Sequence, residues 1–293
     1  MSTVTATGPI LGVLARQEIR NYLRAKPFWL GAALTLAVAV VMVLDLDGDP
    51  TSSASYMIAP AALLGLLGVG VMFGLARRSD RAAEAAGAVA VPERTRTLAL
   101  ACATVVPFSV ALLSFVAAVV TWNVHPPAGY VVPPGIGDTF VYAQMFGDGV
   151  LCAVGGPLLG LLLARYLPRR GVAAVAVVLL VTVTILLQGG LLGEQRYRVF
   201  WFWTYFLTQS PDGGPGTHHF TTVPGNPYLW LLYLATLCAL GVVLAVLHDP
   251  ESDRSRLRTT ALGLAGAAVV LGLLTMTVGF TESVVDPDVC QVC

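Results

Sequence analysis

The residue types best suited to chemistry stand at the end of the chain, where Cys290 and Cys293 form a Cys-x-x-Cys pair. On an oxidising face such a pair serves as a redox couple, a metal clip or a local disulfide. A single pair with no second pair and no spaced histidines is a weak zinc signature, and no thioredoxin-like pattern surrounds it. Cys290 and Cys293 are therefore only weak metal candidates, and an incidental or structural role is the default expectation. His218 and His219 are adjacent; on a helix their side chains would diverge, so a solvated loop is the simpler reading. Cys102, Cys152 and Cys238 lie in apolar runs and read as packing residues. No Ser/His/Asp set and no H-E-x-x-H motif is visible, so catalysis is not expected. The chain has 16 arginines but one lysine, Lys26, which follows no glycine and precedes the first apolar run. That excludes a Walker A loop and a mid-membrane Schiff base.

Polar residues inside apolar runs are the next candidates. Gln144, Asp148 and Gln188 fall within such runs, and an acid at membrane depth is a functional candidate by default. The runs themselves dominate the chain. Of 293 residues 56% are hydrophobic and 12% charged, about half the charged fraction of a soluble domain, and mean hydropathy is +0.76. The net charge of zero carries no information about partners.

These features predict an all-α polytopic membrane protein with an amphipathic helix and seven spans. Residues 1–27 make a cytoplasmic N-terminus and that helix. On it Leu11, Leu14, Ala15, Ile19 and Tyr22 share one face, while Arg16, Arg20 and Arg24 recur at i, i+4, i+8 on the other. Such a helix suits the headgroup layer, with its arginines toward anionic lipid. The charged stretch is too long, and a cleavage site too clearly missing, for a signal peptide. Pro27 breaks the helix. Spans are expected over about 28–44, 56–76, 98–122, 142–164, 171–192, 228–247 and 259–280, each long enough to cross a bilayer. In the second, Gly70 and Gly74 form a small-xxx-small pair that would let another helix approach; in the fourth, Pro157 would kink the helix. Seven of the 25 aromatics fall between Tyr197 and Phe206. This predicts an outer aromatic helix or re-entrant segment over 194–210, with Trp201, Trp203, Tyr205 and Phe206 at the interface. Residues 281–293 form an outer tail.

The polar island at 77–96, with five arginines and three acids, anchors the topology. Lys/Arg bias sets the side a short loop occupies. With the island inside, the N-terminus is cytoplasmic and the C-terminus extracellular. Fifteen of the seventeen Lys and Arg then lie inside, and only Arg196 and Arg198 outside.

Three stretches carry a family resemblance: Leu14-Ala-Arg-Gln-Glu-Ile-Arg-Asn-Tyr-Leu-Arg-Ala-Lys-Pro-Phe-Trp29, the island with Thr97-Leu-Ala-Leu100, and Leu163-Ala-Arg-Tyr-Leu-Pro-Arg-Arg170. Together they resemble the membrane subunits (permeases) of type-2 ABC transporters of actinobacterial type. The resemblance implies a non-catalytic subunit in the cell membrane, exporting a hydrophobic or amphiphilic substrate. It implies no cofactor in this chain, with ATP and Mg bound by two copies of a separate ATPase. The other partners would be a second permease, identical or homologous, and membrane lipids; nucleic acid is not among them. It also implies a coupling helix in the island, capped by Ser79 and running from Asp80 to Ala86. Arg77, Arg78, Arg81, Glu84, Glu93, Arg94 and Arg96 would be its docking residues. Ser before Asp and the following Gly87 suit such a helix on their own account. The family has six spans and an inner C-terminus, so residues 259–293 depart from it. Two readings from other classes are a membrane thiol oxidoreductase or metal-linked protein using the tail cysteines, and a seven-helix receptor or sensor.

Overall fold

A computed structural model describes residues 7–44, 56–87, 91–124, 137–187, 201–202, 207–211, 218–222, 225–279 and 284–285. The helices are α1 (Thr7–Leu23), α2 (Lys26–Leu44), α3 (Ile58–Pro60), α4 (Leu66–Ala86), α5 (Glu93–Cys102), α6 (Val105–Val124), α7 (Asp138–Met145), α8 (Cys152–Tyr166), α9 (Val172–Ile185), α10 (Pro227–Leu247) and α11 (Arg254–Thr277). Two π-turns interrupt them, Ala61–Gly65 between α3 and α4 and Phe146–Leu151 between α7 and α8. Joined through these turns and a tight step at 103–104, they make six helices long and apolar enough to cross a membrane. The protein is a membrane-embedded helical bundle.

The second to fourth crossings are longer than the sequence predicts: Ile58–Ala85, Glu93–Val124 and Asp138–Tyr166. Their polar ends continue the helices into the island and the adjoining connections. The last starts early, at Arg254, because Asp253 caps it by accepting from Arg256 N at 3.2 Å. The expected span at 171–192 is described as α9, 14 residues or about 21 Å long, against an apolar layer of about 30 Å. Residues 188–192, including Gln188, lie outside the described residues.

The amphipathic helix is present as α1, with Arg16, Arg20 and Arg24 exposed and Tyr22 buried. Burial pushes the Tyr22 phenol up from its ordinary pKa. The corner into α2 is held by an edge-on Tyr22–Phe28 contact at 5.5 Å and by Trp29 Nε1 donating to Leu23 O at 2.6 Å. Pro27 sits in the first turn of α2, where its missing N–H costs nothing.

The small-residue contact between helices lies elsewhere than at Gly70 and Gly74, which face open space. The interlocked pair is α4 with α8. A Cβ on Gly156 would run into Gly65 O, and one on Gly160 into Val69 O, so the two backbones touch. The helix continues through Pro157, whose ring packs on Gly68; the irregularity of this crossing is the π-turn upstream.

The bundle is all-α, as expected, with three short strands beside it. β1 (Leu207–Pro211), β2 (His218–Thr222) and β3 (Val284–Val285) form an antiparallel sheet in that order. Residues 207–210 are thus strand rather than aromatic helix, and His218 and His219 lie in a strand rather than a loop. β3 pairs with β2, Phe220 with Val285 and Thr221 with Val284, so these two strands lie together. Asn226 N donates to Thr275 O at 3.2 Å at one end of the bundle. Trp122 Nε1 to Asp138 Oδ1 at 3.0 Å, and Thr139 with Tyr228 at 2.7 Å, join the remaining connections there.

Candidate functional site

At the opposite end the three arginine-bearing connections meet. The predicted coupling helix is not a separate element: α4 runs unbroken from Leu66 to Ala86, so Ser79 is interior and caps nothing. Gly87 does stop it, with φ of 58°, a conformation that side chains with a Cβ rarely adopt. The unbroken helix brings Asp80 one turn beyond Ala76, beside the last turn of α8. Asp80 Oδ1 accepts from Arg165 Nη1 at 2.6 Å and from Arg96 Nη1 at 3.0 Å. Arg96 also donates to Ser79 O at 3.0 Å and to Val91 O at 3.2 Å, pinning α5 to the end of α4.

Glu93 continues the cluster. Its Oε1 lies 2.6 Å from His248 Nδ1 and 3.6 Å from Arg165 Nε. His248 caps α10 and meets Tyr166 edge-on at 5.4 Å. Next to it the buried Asp249 accepts from Arg94 N at 2.8 Å and from Glu251 N at 2.9 Å. Pro92 cannot cap α5 with a side chain, so a carboxylate from another connection supplies the acceptor that the helix start needs. Asp249→Ala is expected to cost about 1–2 kcal/mol, read as a lower unfolding midpoint in mild detergent.

The residues of the expected coupling segment therefore divide into two groups. Asp80, Glu93 and Arg96 hold the connections together. Arg78, Arg81, Glu84 and Arg94 are exposed, and none of their side chains makes an ion pair or hydrogen bond among the described residues. Arg77 lies over the Phe73 ring at 5.9 Å. An open recess of about 470 Å³ lies beside the cluster, lined by Arg77, Arg81 and Glu84 together with Asp80, Glu93, Arg96, Arg165 and His248. Such a surface offers charges of both signs around a concavity, which suits a protein partner.

Arg165, His248 and Asp249 were not among the sequence candidates, although one signal for Arg165 was legible. Leu158, Leu161 and Arg165 share one helical stripe, and all three are buried. The signal for His248 and Asp249 lay only in their tertiary partners, 155 residues away.

Within the bundle an apolar cavity of about 180 Å³ lies between α4, α8, α9 and α10, lined by Leu66, Val69, Leu162, Leu180 and Leu234. Phe202 closes part of it, stacked on Trp201 at 4.3 Å, and Trp201 Nε1 donates to Thr184 Oγ1 of α9 at 2.9 Å. Trp203, Tyr205 and Phe206 lie outside the described residues. Gln144 and Asp148 are wholly buried, one turn apart at the second π-turn, and their side chains have no hydrogen-bond partner outside the pair. Cys102 and Cys238 are free thiols, Cys152 packs in the buried core, and Cys290 and Cys293 lie outside the described residues. Among the described residues no group of three or more His, Cys, Asp or Glu could hold a metal ion. Compared with known proteins, the chain matches no family model, no curated protein and no solved structure.

Proposed function

We propose that this chain is the permease subunit of an ATP-binding cassette transporter, driven by a separate ATPase that docks on the 77–96 connection. The observation that supports this best is the convergence of the three arginine-bearing connections at one end. They leave Arg78, Arg81, Glu84 and Arg94 exposed, with Arg81 and Glu84 on the lining of a recess. On this reading that end is cytoplasmic, since basic residues stay inside, and the strand-bearing end with the tail is extracellular. The docking element is the cytoplasmic extension of the second crossing itself. A push on Arg81 or Glu84 then travels along α4 into the backbone contact with α8, without a hinge between. The apolar cavity, walled by the second crossing and by α9 and closed in part by Phe202, would take the hydrophobic part of an exported amphiphile. A second permease, identical or homologous, would complete the path.

The test is purification of the chain from its native membrane in mild detergent. An ATPase is expected to accompany it, and to be lost when Glu84→Arg and Arg94→Glu are combined. Neither side chain takes part in the ion cluster, so this double variant should fold as the native chain does. A well-folded native chain that never brings an ATPase, or that brings a redox or signalling protein instead, would overturn the proposal.

A further inference from the structure

We propose that the apolar cavity between α4, α8, α9 and α10 is a hydrocarbon site that takes the end of one lipid acyl chain from the surrounding bilayer, and that Gly155 and Gly241 keep it open. The wall decides the class of ligand. Every residue lining the cavity is Gly, Val, Leu, Phe or Cys, so its side chains offer no charge, hydroxyl or amide. Pockets for functionalised ligands place a few polar groups among the apolar ones to fix orientation. A wall without any recognises hydrocarbon alone. A dry cavity of about 150 Å³ accepts benzene. This one measures about 180 Å³, room for a short stretch of chain and too little for a whole lipid. The headgroup therefore stays outside.

The way in lies beside α9. None of the 14 residues of α9 is buried, and the helix packs on α4 and α8 but scarcely on α10. Among the described residues, the side between α9 and α10 is thus the one left to the lipid layer. Two glycines account for the room inside. A Cβ on Gly155 would meet nothing within 4 Å, and one on Gly241 only Leu162 at 3.7 Å and Leu158 at 3.9 Å, which are ordinary contacts. Helix packing demands neither glycine, in contrast to the adjacent Gly156. Both stand inside helices, where alanine is the better former. What they supply is space. The hydrocarbon site needs only the membrane-embedded bundle. Its use in export rests on the permease reading, where it would select an amphiphile by its chain rather than by its headgroup.

The test places the full chain in lipid nanodiscs doped with a phosphatidylcholine that carries a photoreactive diazirine at the end of one acyl chain. Adducts formed on illumination are mapped by peptide mass spectrometry. Leu158 and Leu234 line the cavity and are buried, so adducts there report a chain inside. The exposed Val178 and Leu262 report lipid contact in general. The chain-end probe is expected to label all four positions. The same lipid with its diazirine beside the glycerol is expected to leave Leu158 and Leu234 unlabelled. Gly155→Leu, which fills the cavity, is expected to abolish the adducts at Leu158 and Leu234 and to keep those at Val178 and Leu262. Cys238→Leu narrows the cavity from α10 and carries the test if Gly155→Leu does not fold. The site is overturned if the chain-end probe leaves Leu158 and Leu234 unlabelled, or if their adducts survive in a folded, filled variant. Equal labelling there by the glycerol-side probe would overturn it too. Neither substitution touches the 77–96 connection, so ATPase co-purification is decided separately.

Discussion

Gly156→Ala and Gly160→Ala each lower the unfolding midpoint of the detergent-solubilised protein, whereas Gly70→Ala and Gly74→Ala leave it unchanged or raise it. The same methyl group is added in all four variants, to the same two helices. At 156 it meets Gly65 O of the π-turn and at 160 Val69 O of α4, backbone oxygens that cannot swing aside. The helices must separate, and overpacking of this kind costs about 1–3 kcal/mol per site. At 70 and 74 nothing lies within reach of the new Cβ, and alanine is the better helix former by up to about 1 kcal/mol. Thermal or denaturant unfolding of the four single variants, side by side, measures the contrast. Equal shifts in all four would mean that α4 and α8 do not meet as described. Because the proposed docking element is the end of α4, the first pair should also weaken transmission from that end to the bundle.

Gln144→Met and Asp148→Val are expected to raise stability by about 1–2 kcal/mol each. All four side-chain polar atoms of Gln144 and Asp148 are buried and have no hydrogen-bond partner outside the pair. A buried polar group without a partner forfeits its hydration and recovers nothing, so an apolar side chain of similar shape is the more stable occupant. Met matches the volume of Gln closely and Val approximates Asp, which keeps the packing term small. Unfolding midpoints of the two variants check the sign. A fall in stability would mean that these groups are satisfied by something in the bilayer. A rise in stability joined to a loss of transport would place the pair among groups kept for function at a cost to the fold.

The arginines carried most of the large-scale organisation. Their clustering at 77–96, 165–170 and 254–258 separates the connections into two sets, and the structure brings each set together at one end. This was legible because charge placement relative to apolar runs depends on the one-dimensional order of the chain alone. The amphipathic helix was legible for a similar reason: Leu11, Leu14, Ile19 and Tyr22 repeat at helical period, and period does not depend on distant contacts.

Tertiary structure decided which of those residues face one another. The family resemblance assigned Glu93 and Arg96 to an outside partner and Asp80 to the start of a coupling helix; in the fold Asp80 binds Arg165 and Arg96, and Glu93 faces His248 and Arg165. Ser79 had the side chain of a helix cap, yet a cap forms only where a helix starts, and packing against α8 carries α4 straight through it. Gly70-x-x-x-Gly74 and Gly156-x-x-x-Gly160 are the same pattern in one dimension. Only the crossing of α4 over α8 buries the second and leaves the first in the open. Spacing along one helix states what could approach; the rotation of that helix, set by every neighbour at once, determines what does.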